Sequence, residues 1–255
     1  MSTSAHSLIA AHMRAAAARR PGSRVGPFTV GLDPHTDDPM RNFAVPDAGA
    51  RPDAGEVGEL TAFFRRHQRI PRLEYVEASA PAAWPALAAA GFVLDRRTPV
   101  MISVPGTELT PRPPAGIIFR RAAGDADLAA AAAVQHEAYE LPAPPGPHDI
   151  ARLSGLTQRG GLVGVAVDEV SGAVVAAGLI DVAGERPAVG ELAAVGVLAA
   201  FRRRGIAAAI AAHLAGAAHA DGIGLVFLEA EPDEERIYRR TGFLDAAAKI
   251  WASLR

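Results

Sequence analysis

The stretch of this chain best equipped for chemistry is Val195-Gly196-Val197-Leu198-Ala199-Ala200-Phe201-Arg202-Arg203-Arg204-Gly205-Ile206-Ala207. A Val-rich segment reads as the end of a strand, a short basic loop follows, and a helix opens at a glycine. The first N–H groups of a helix have no partner within it, and that end carries partial positive charge. It is therefore an anion seat, with phosphate the usual guest. Glycine at 205 lets a ligand approach the backbone, and Ala207 keeps the first turn open. Arg202, Arg203 and Arg204 add positive charge at the mouth. Other candidates fail on spacing. His213 and His219 lie six apart on one helix and do not share a face for a metal. His136-Glu137 lacks the second histidine of a zinc helix. Asp33, His35, Asp37 and Asp38 form a polar turn. Gly222-Ile223-Gly224 precedes a strand, the wrong order for a dinucleotide loop. No metal site is expected.

The elements that must position the anion seat follow from periodicity. Residues 188–197 read as a strand, and 205–220 as a helix with Ile206, Ile210, His213, Leu214 and Ala217 on one stripe, stopped at Asp221-Gly222. Leu225 to Leu228 is apolar throughout and should be a central strand. A short helix runs through 236–239 and ends at Gly242. Upstream lie a strand at 117–120, an Ala-rich helix at 125–138 with Asp125 as its N-cap, a Pro-rich loop, a helix near 149–158, and strands at 162–167 and 173–182. The order is β-α-α-β-β-β-α-β-α-β, a mixed α/β sheet. Pro105 to Pro114 holds four prolines and reads as a linker, because proline fixes φ and removes a donor. The expected division is residues 1–110, a linker at 111–116, and 117–255.

The first half has helices at 4–19, 56–67 and 81–90, a strand at 73–77, and strands from Phe92 to Val104 with a break near Pro99. Gly91 suits the C′ position of the helix before it. This order parallels the second half, with Leu87 in place of Tyr238 and the glycine-free run 63–71 in place of the basic loop. The reading is a worn copy of the same fold, non-catalytic, that packs on the other half; an unrelated small α/β domain remains open.

Composition sets bounds. The chain has 255 residues, 49% hydrophobic and 21% charged, with net charge −2. That balance points to no nucleic acid and no anionic membrane as the main partner. With no cysteine there are no disulfides, thiolate sites or cysteine nucleophile. No run of about 18 apolar residues exists, so no membrane span is expected. The N-terminus does not read as a signal peptide, and a cytoplasmic protein is the default expectation.

The basic loop resembles the coenzyme A signature of the GCN5-related N-acetyltransferase (GNAT) superfamily, [Q/R]-x-x-G-x-[G/A], here Arg202-x-x-Gly205-x-Ala207. Tyr238-x-x-x-Gly242-Phe243 resembles the family's usual close. The resemblance covers the second half, and it implies an acyl-coenzyme A N-acyltransferase (GNAT) fold, here in a two-domain tandem arrangement. It implies acetyl-coenzyme A as cofactor, bound by the loop and by the exposed backbone of Val195, Gly196 and Val197. It implies Tyr238 as the general acid at the leaving thiolate and Glu191 as the base, set against a strand-start glutamate facing solvent. The acceptor would be a small-molecule or peptide amine, attacked within a ternary complex. The run Glu231-Pro232-Asp233-Glu234-Glu235 departs from the pattern, with Glu234 where a small residue is common. It reads as a solvated helix start, with attraction of a cationic substrate as the other reading. Alternatives stay open: a catalytically silent acyl-coenzyme A sensor, or a structural α/β protein with no coenzyme. A homodimer is compatible with the sequence, and the acceptor is not encoded in it.

Overall fold

In the computed structural model, residues 4–110, 112–183, 188–231 and 234–255 are described. Pro111 of the expected linker and Pro232-Asp233 of the acidic run lie outside them. Two compact units emerge. The first comprises residues 4–100 and Ala246–Arg255, the second residues 101–182 and 188–245. This division differs from a split at 111–116 in two places. One strand, β5, runs unbroken from Val93 to Ser103 through Pro99, so the first unit ends inside it. The last strand returns to the first unit by pairing there.

In the first unit, α1 (Ala5–Ala18) is followed by β1 (Gly22–Val25), β2 (Phe28–Gly31), β3 (Phe43–Pro46), α2 (Ala54–Arg66), β4 (Arg72–Val76), α3 (Ala83–Ala89) and then β5. β1, β2 and β3 form an antiparallel meander, and β4 joins β3 in parallel. The chain's last strand, β11 (Leu244–Ser253), pairs antiparallel with β4, Trp251 opposite Glu74. Lys249, the only lysine, is buried there with Nζ 2.8 Å from the Glu74 carboxylate. Burying a charge costs heavily unless it is paired, and this pair supplies the partner.

The second unit runs β6 (Ile117–Arg121), α4 (Gly124–Ala138), α5 (Pro147–Gln158), β7 (Leu162–Asp168), β8 (Val174–Val182), β9 (Val189–Val197), α6 (Ile206–Ala220), β10 (Leu225–Glu229) and α7 (Glu235–Thr241), leading into β11. The element order is the one the periodicity predicts. Its strands lie in the order β10-β9-β8-β7-β6. β6 to β9 are antiparallel, and β10 runs parallel to β9. Leu225, Val226, Phe227 and Leu228 are all buried, which places β10 in the core as its apolar run requires. α6 packs Ile206, Ile210 and Leu214 into one core cluster, while α4 and α5 pack Leu128, Ala132, Leu153 and Leu156 into a second. The α4 N-cap is Ala123, not Asp125. Asp127 takes over the capping work, because its carboxylate accepts from Ala123 N–H at 2.7 Å and pairs with Arg120. Among the described residues, no helix is long and apolar enough to cross a membrane.

The two units repeat one topology. Along the chain, meander, helix, parallel strand, helix, strand occurs twice, as β1-β2-β3-α2-β4-α3-β5 and as β7-β8-β9-α6-β10-α7-β11, the last strand of the second copy pairing in the first unit. Even the turn after the last helix matches: Phe92 N–H donates to Leu87 O, and Phe243 N–H to Tyr238 O, both at 3.0 Å. The repeat corrects one sequence reading. The counterpart of the basic loop is residues 47–53, which lead into α2, and not 63–71, which end it. At that end Asp53 caps α2, its carboxylate accepting from Glu56 N–H at 2.8 Å while Glu56 reaches back to Asp53 N–H. This capping box fills the position with a carboxylate, so the first unit has no vacant anion seat there.

Candidate functional site

The loop after β9 turns through the left-handed region twice, at Arg203 (φ 59°) and Gly205 (φ 78°). Gly205 is the N-cap of α6, and no side chain caps that helix. A Cβ at 205 would meet nothing within 4 Å. The first N–H groups of α6 therefore open onto free space, the reverse of the carboxylate-capped α2.

That space is a cavity of about 580 Å³. Its wall includes Val195, Gly196 and Val197 of β9, then Arg202, Arg203, Gly205, Ile206 and Ala207. The structure thus gathers eight of the nine residues that the sequence singled out for binding. The ninth, Arg204, is not part of this wall; its guanidinium lies 5.2 Å from the Phe201 ring centroid. Arg202 contributes less free charge than its type suggests. Its Nε donates to Val197 O and its guanidinium to Ala138 O, both at 3.1 Å. It ties the end of β9 to the end of α4.

β9 is bulged where it meets the cavity. Ala177 pairs with Gly196 and Leu179 with Ala193, so Ala194 and Val195 together face Gly178. Ala194 takes φ 52°, which costs about 1–2 kcal/mol for a residue with a Cβ. On the other side β10 pairs with β9 only over Val189, Gly190 and Glu191. Past that point the two parallel strands part, leaving β9 backbone beside the cavity without a strand partner on that side.

Sequence reasoning missed the residues that complete this wall. Tyr139, which follows α4, lines the cavity and donates its hydroxyl to Val195 O at 3.2 Å. Gln135, one turn earlier, donates to Ala194 O at 3.1 Å. Glu234 lines the cavity too, so its place is not a purely solvated helix start. Contacts 56 and 59 residues apart in the chain carry no local signal. Glu234 did carry one, since it stands where a small residue was expected.

Tyr238 sits on α7 next to Ile237, which lines the cavity, but it is not itself in that wall. It is 7% exposed and meets Phe243 edge-on at 6.1 Å. Burial, and then Glu234 and Tyr139, push its phenol well above the usual range, so it is a neutral donor at every physiological pH. Glu191 lies on β9, three residues before the bulge, opposite Asp181 on β8 and Phe227 on β10. It is partly exposed and outside the cavity wall. Among the described residues, no group of three or more His, Cys, Asp or Glu side chains is placed to hold a metal.

Residues 120–244 match the family model described as acetyltransferase (GNAT) domain. The chain is similar to a GCN5-related N-acetyltransferase from Kribbella flavida at 25% identity and TM-score 0.79, covering 99% of this chain and 96% of that one. It is similar to one from Sphaerobacter thermophilus at 26% identity and TM-score 0.58, covering 74% of this chain and 62% of that one. A tandem GNAT protein from the clavulanic acid biosynthesis pathway shares the fold at 16% identity and TM-score 0.60, over 84% of this chain and 73% of that one. No curated protein sequence gives a significant match.

Proposed function

On the premise that residues 120–244 are a GNAT acetyltransferase domain, we propose that this protein transfers the acetyl group of acetyl-coenzyme A to a primary amine by direct attack within a ternary complex. The observation that carries the proposal is the uncapped N-terminus of α6, opening on a cavity whose other wall is the bulged β9. The α6 amides would hold the diphosphate, with Arg203 adding charge. The parted strand would offer its backbone to the amides of the pantetheine arm, as an added strand would.

Bringing amine and thioester together removes most of the entropic cost of a bimolecular encounter, so no covalent enzyme intermediate is needed. The amine nitrogen bonds to the thioester carbonyl carbon, the tetrahedral intermediate collapses, and the carbon–sulfur bond breaks. Glu191, directly or through water, takes the proton that the amine gives up. Tyr238 hydrogen-bonds the departing sulfur. As general acid it donates its proton to the departing thiolate, and the proton taken from the amine restores the phenol, so amine and thioester give amide and thiol with no net change in protons.

The test is thiol release from acetyl-coenzyme A across a panel of amines. Glu191→Gln should cut turnover about 100-fold or more, and Tyr238→Phe about tenfold or more, each with coenzyme affinity within about threefold of wild type. Undiminished binding with no turnover on any amine would support the silent-binder alternative. Absent coenzyme binding would remove the proposal.

A further inference from the structure

We infer that Gln135, with Tyr139 beside it, is a positioning residue that holds the β9 bulge in the shape the coenzyme arm requires. The bulge leaves the Ala194 and Val195 carbonyls out of register with β8, which resumes pairing only at Gly196. Neither carbonyl gains a partner from β10, whose pairing stops at Glu191. α4 and the residue after it supply both donors. Gln135 and Tyr139 are four residues apart and so project from one face. They reach successive carbonyls, Ala194 O at 3.1 Å and Val195 O at 3.2 Å.

The approach that makes this feasible depends on Gly196. A Cβ there would lie 2.9 Å from the Ala138 Cβ, so any other residue would push α4 off the strand. The two donors differ in permanence. Gln135 is 5% exposed and fixed in the core, while Tyr139 is 52% exposed with its ring in the cavity wall. Without Gln135, the Ala194 carbonyl becomes a partly buried acceptor that has lost its donor, and nothing compensates the left-handed φ of Ala194. β9 then relaxes toward regular pairing. A shift of one residue turns every later group to the opposite face, including the backbone of residues 195–197.

This inference rests on the proposed coenzyme site, and its test separates the two. Gln135→Met keeps length and apolar bulk while removing the donor. It should weaken acetyl-coenzyme A binding about tenfold and raise amide exchange over residues 192–198 by a similar factor, the cost of one buried hydrogen bond. Ala194→Gly accepts a positive φ without strain and should bind within about twofold of wild type. The double variant Gln135→Met/Ala194→Gly should recover binding to within about threefold, which a general loss of packing would not allow. Tyr139→Phe removes only the exposed donor and should weaken binding about threefold; it decides the matter if Gln135→Met does not fold. Wild-type affinity and exchange in both Gln135→Met and Tyr139→Phe would overturn the inference, as would failure of the glycine to rescue. If the wild-type protein itself binds no acetyl-coenzyme A, the functional reading falls, while the exchange rates still judge the pin.

Discussion

Grafting onto α6 the device that closes α2 should abolish coenzyme binding through charge, and its size can be worked out. In Gly205→Asp the new carboxylate would stand where Asp53 stands on α2, in the seat proposed for the diphosphate. One like-charge pair about 6 Å apart at an effective dielectric of about 20 costs about 2.8 kcal/mol, or roughly 100-fold in affinity. A diphosphate carries more than one charge, so this is a lower bound. The substitution also has a backbone cost, because Gly205 sits at φ 78°, worth about 1–2 kcal/mol of stability for a residue with a Cβ. Gly205→Ala isolates that cost. It has the same φ and no charge, and its Cβ would touch nothing within 4 Å. Calorimetry with acetyl-coenzyme A should show Asp at least about 100-fold weaker and Ala within about threefold. Both variants should melt within about 6 °C of wild type. Equal losses in the two would refute the electrostatic argument and leave conformation as the cause. An Asp variant that binds normally would refute the anion seat.

Other outcomes follow from the same structure. Asp53→Ala should cost about 1 kcal/mol by thermal melting, the worth of an N-cap, with acetyl-coenzyme A affinity unchanged. Gly242→Ala should lower stability by about 2–4 kcal/mol, since φ is 105° and the Cβ would lie 2.5 Å from Glu108 O; a melting point near wild type would show that the turn holding Tyr238 is slack. Asp127 is held down to about 2 by hydrogen bonds from Arg120 and then Ala123. Its folded pKa lies below the unfolded value of about 3.9, so its stabilisation is present above about pH 4 and fades as the pH falls toward 2. Asp127→Asn should therefore cost about 0.5–1 kcal/mol at pH 7, the range for a solvent-screened pair, and progressively less as the pH falls through about 2.

The proposed anion seat was legible because its parts are consecutive. Strand end, basic loop, glycine and amphipathic helix follow one another from Val195 to Ala220, and each leaves a short-range mark. The repeat was legible for the same reason, through the matched helix–glycine–phenylalanine endings at Gly91-Phe92 and Gly242-Phe243. Sequence reading placed the counterpart of the basic loop at the glycine-free run 63–71. The topology instead pairs α6 with α2, and the loop before α2 carries a capping aspartate.

By itself, then, the sequence determined the element order, the bare glycine at the start of α6 and the tyrosine tied to its glycine turn. Periodicity and capping act within a few residues, and the chain writes them down in order. Only the tertiary structure decided how the seat is completed. It bulges β9 at Ala194, brings Gln135 and Tyr139 onto carbonyls more than fifty residues away, and spends the Arg202 guanidinium on two carbonyls. It also sends β11 to pair with β4. Each of these depends on which distant backbone groups lack a partner, and that is settled only when strands, bulge and helix meet.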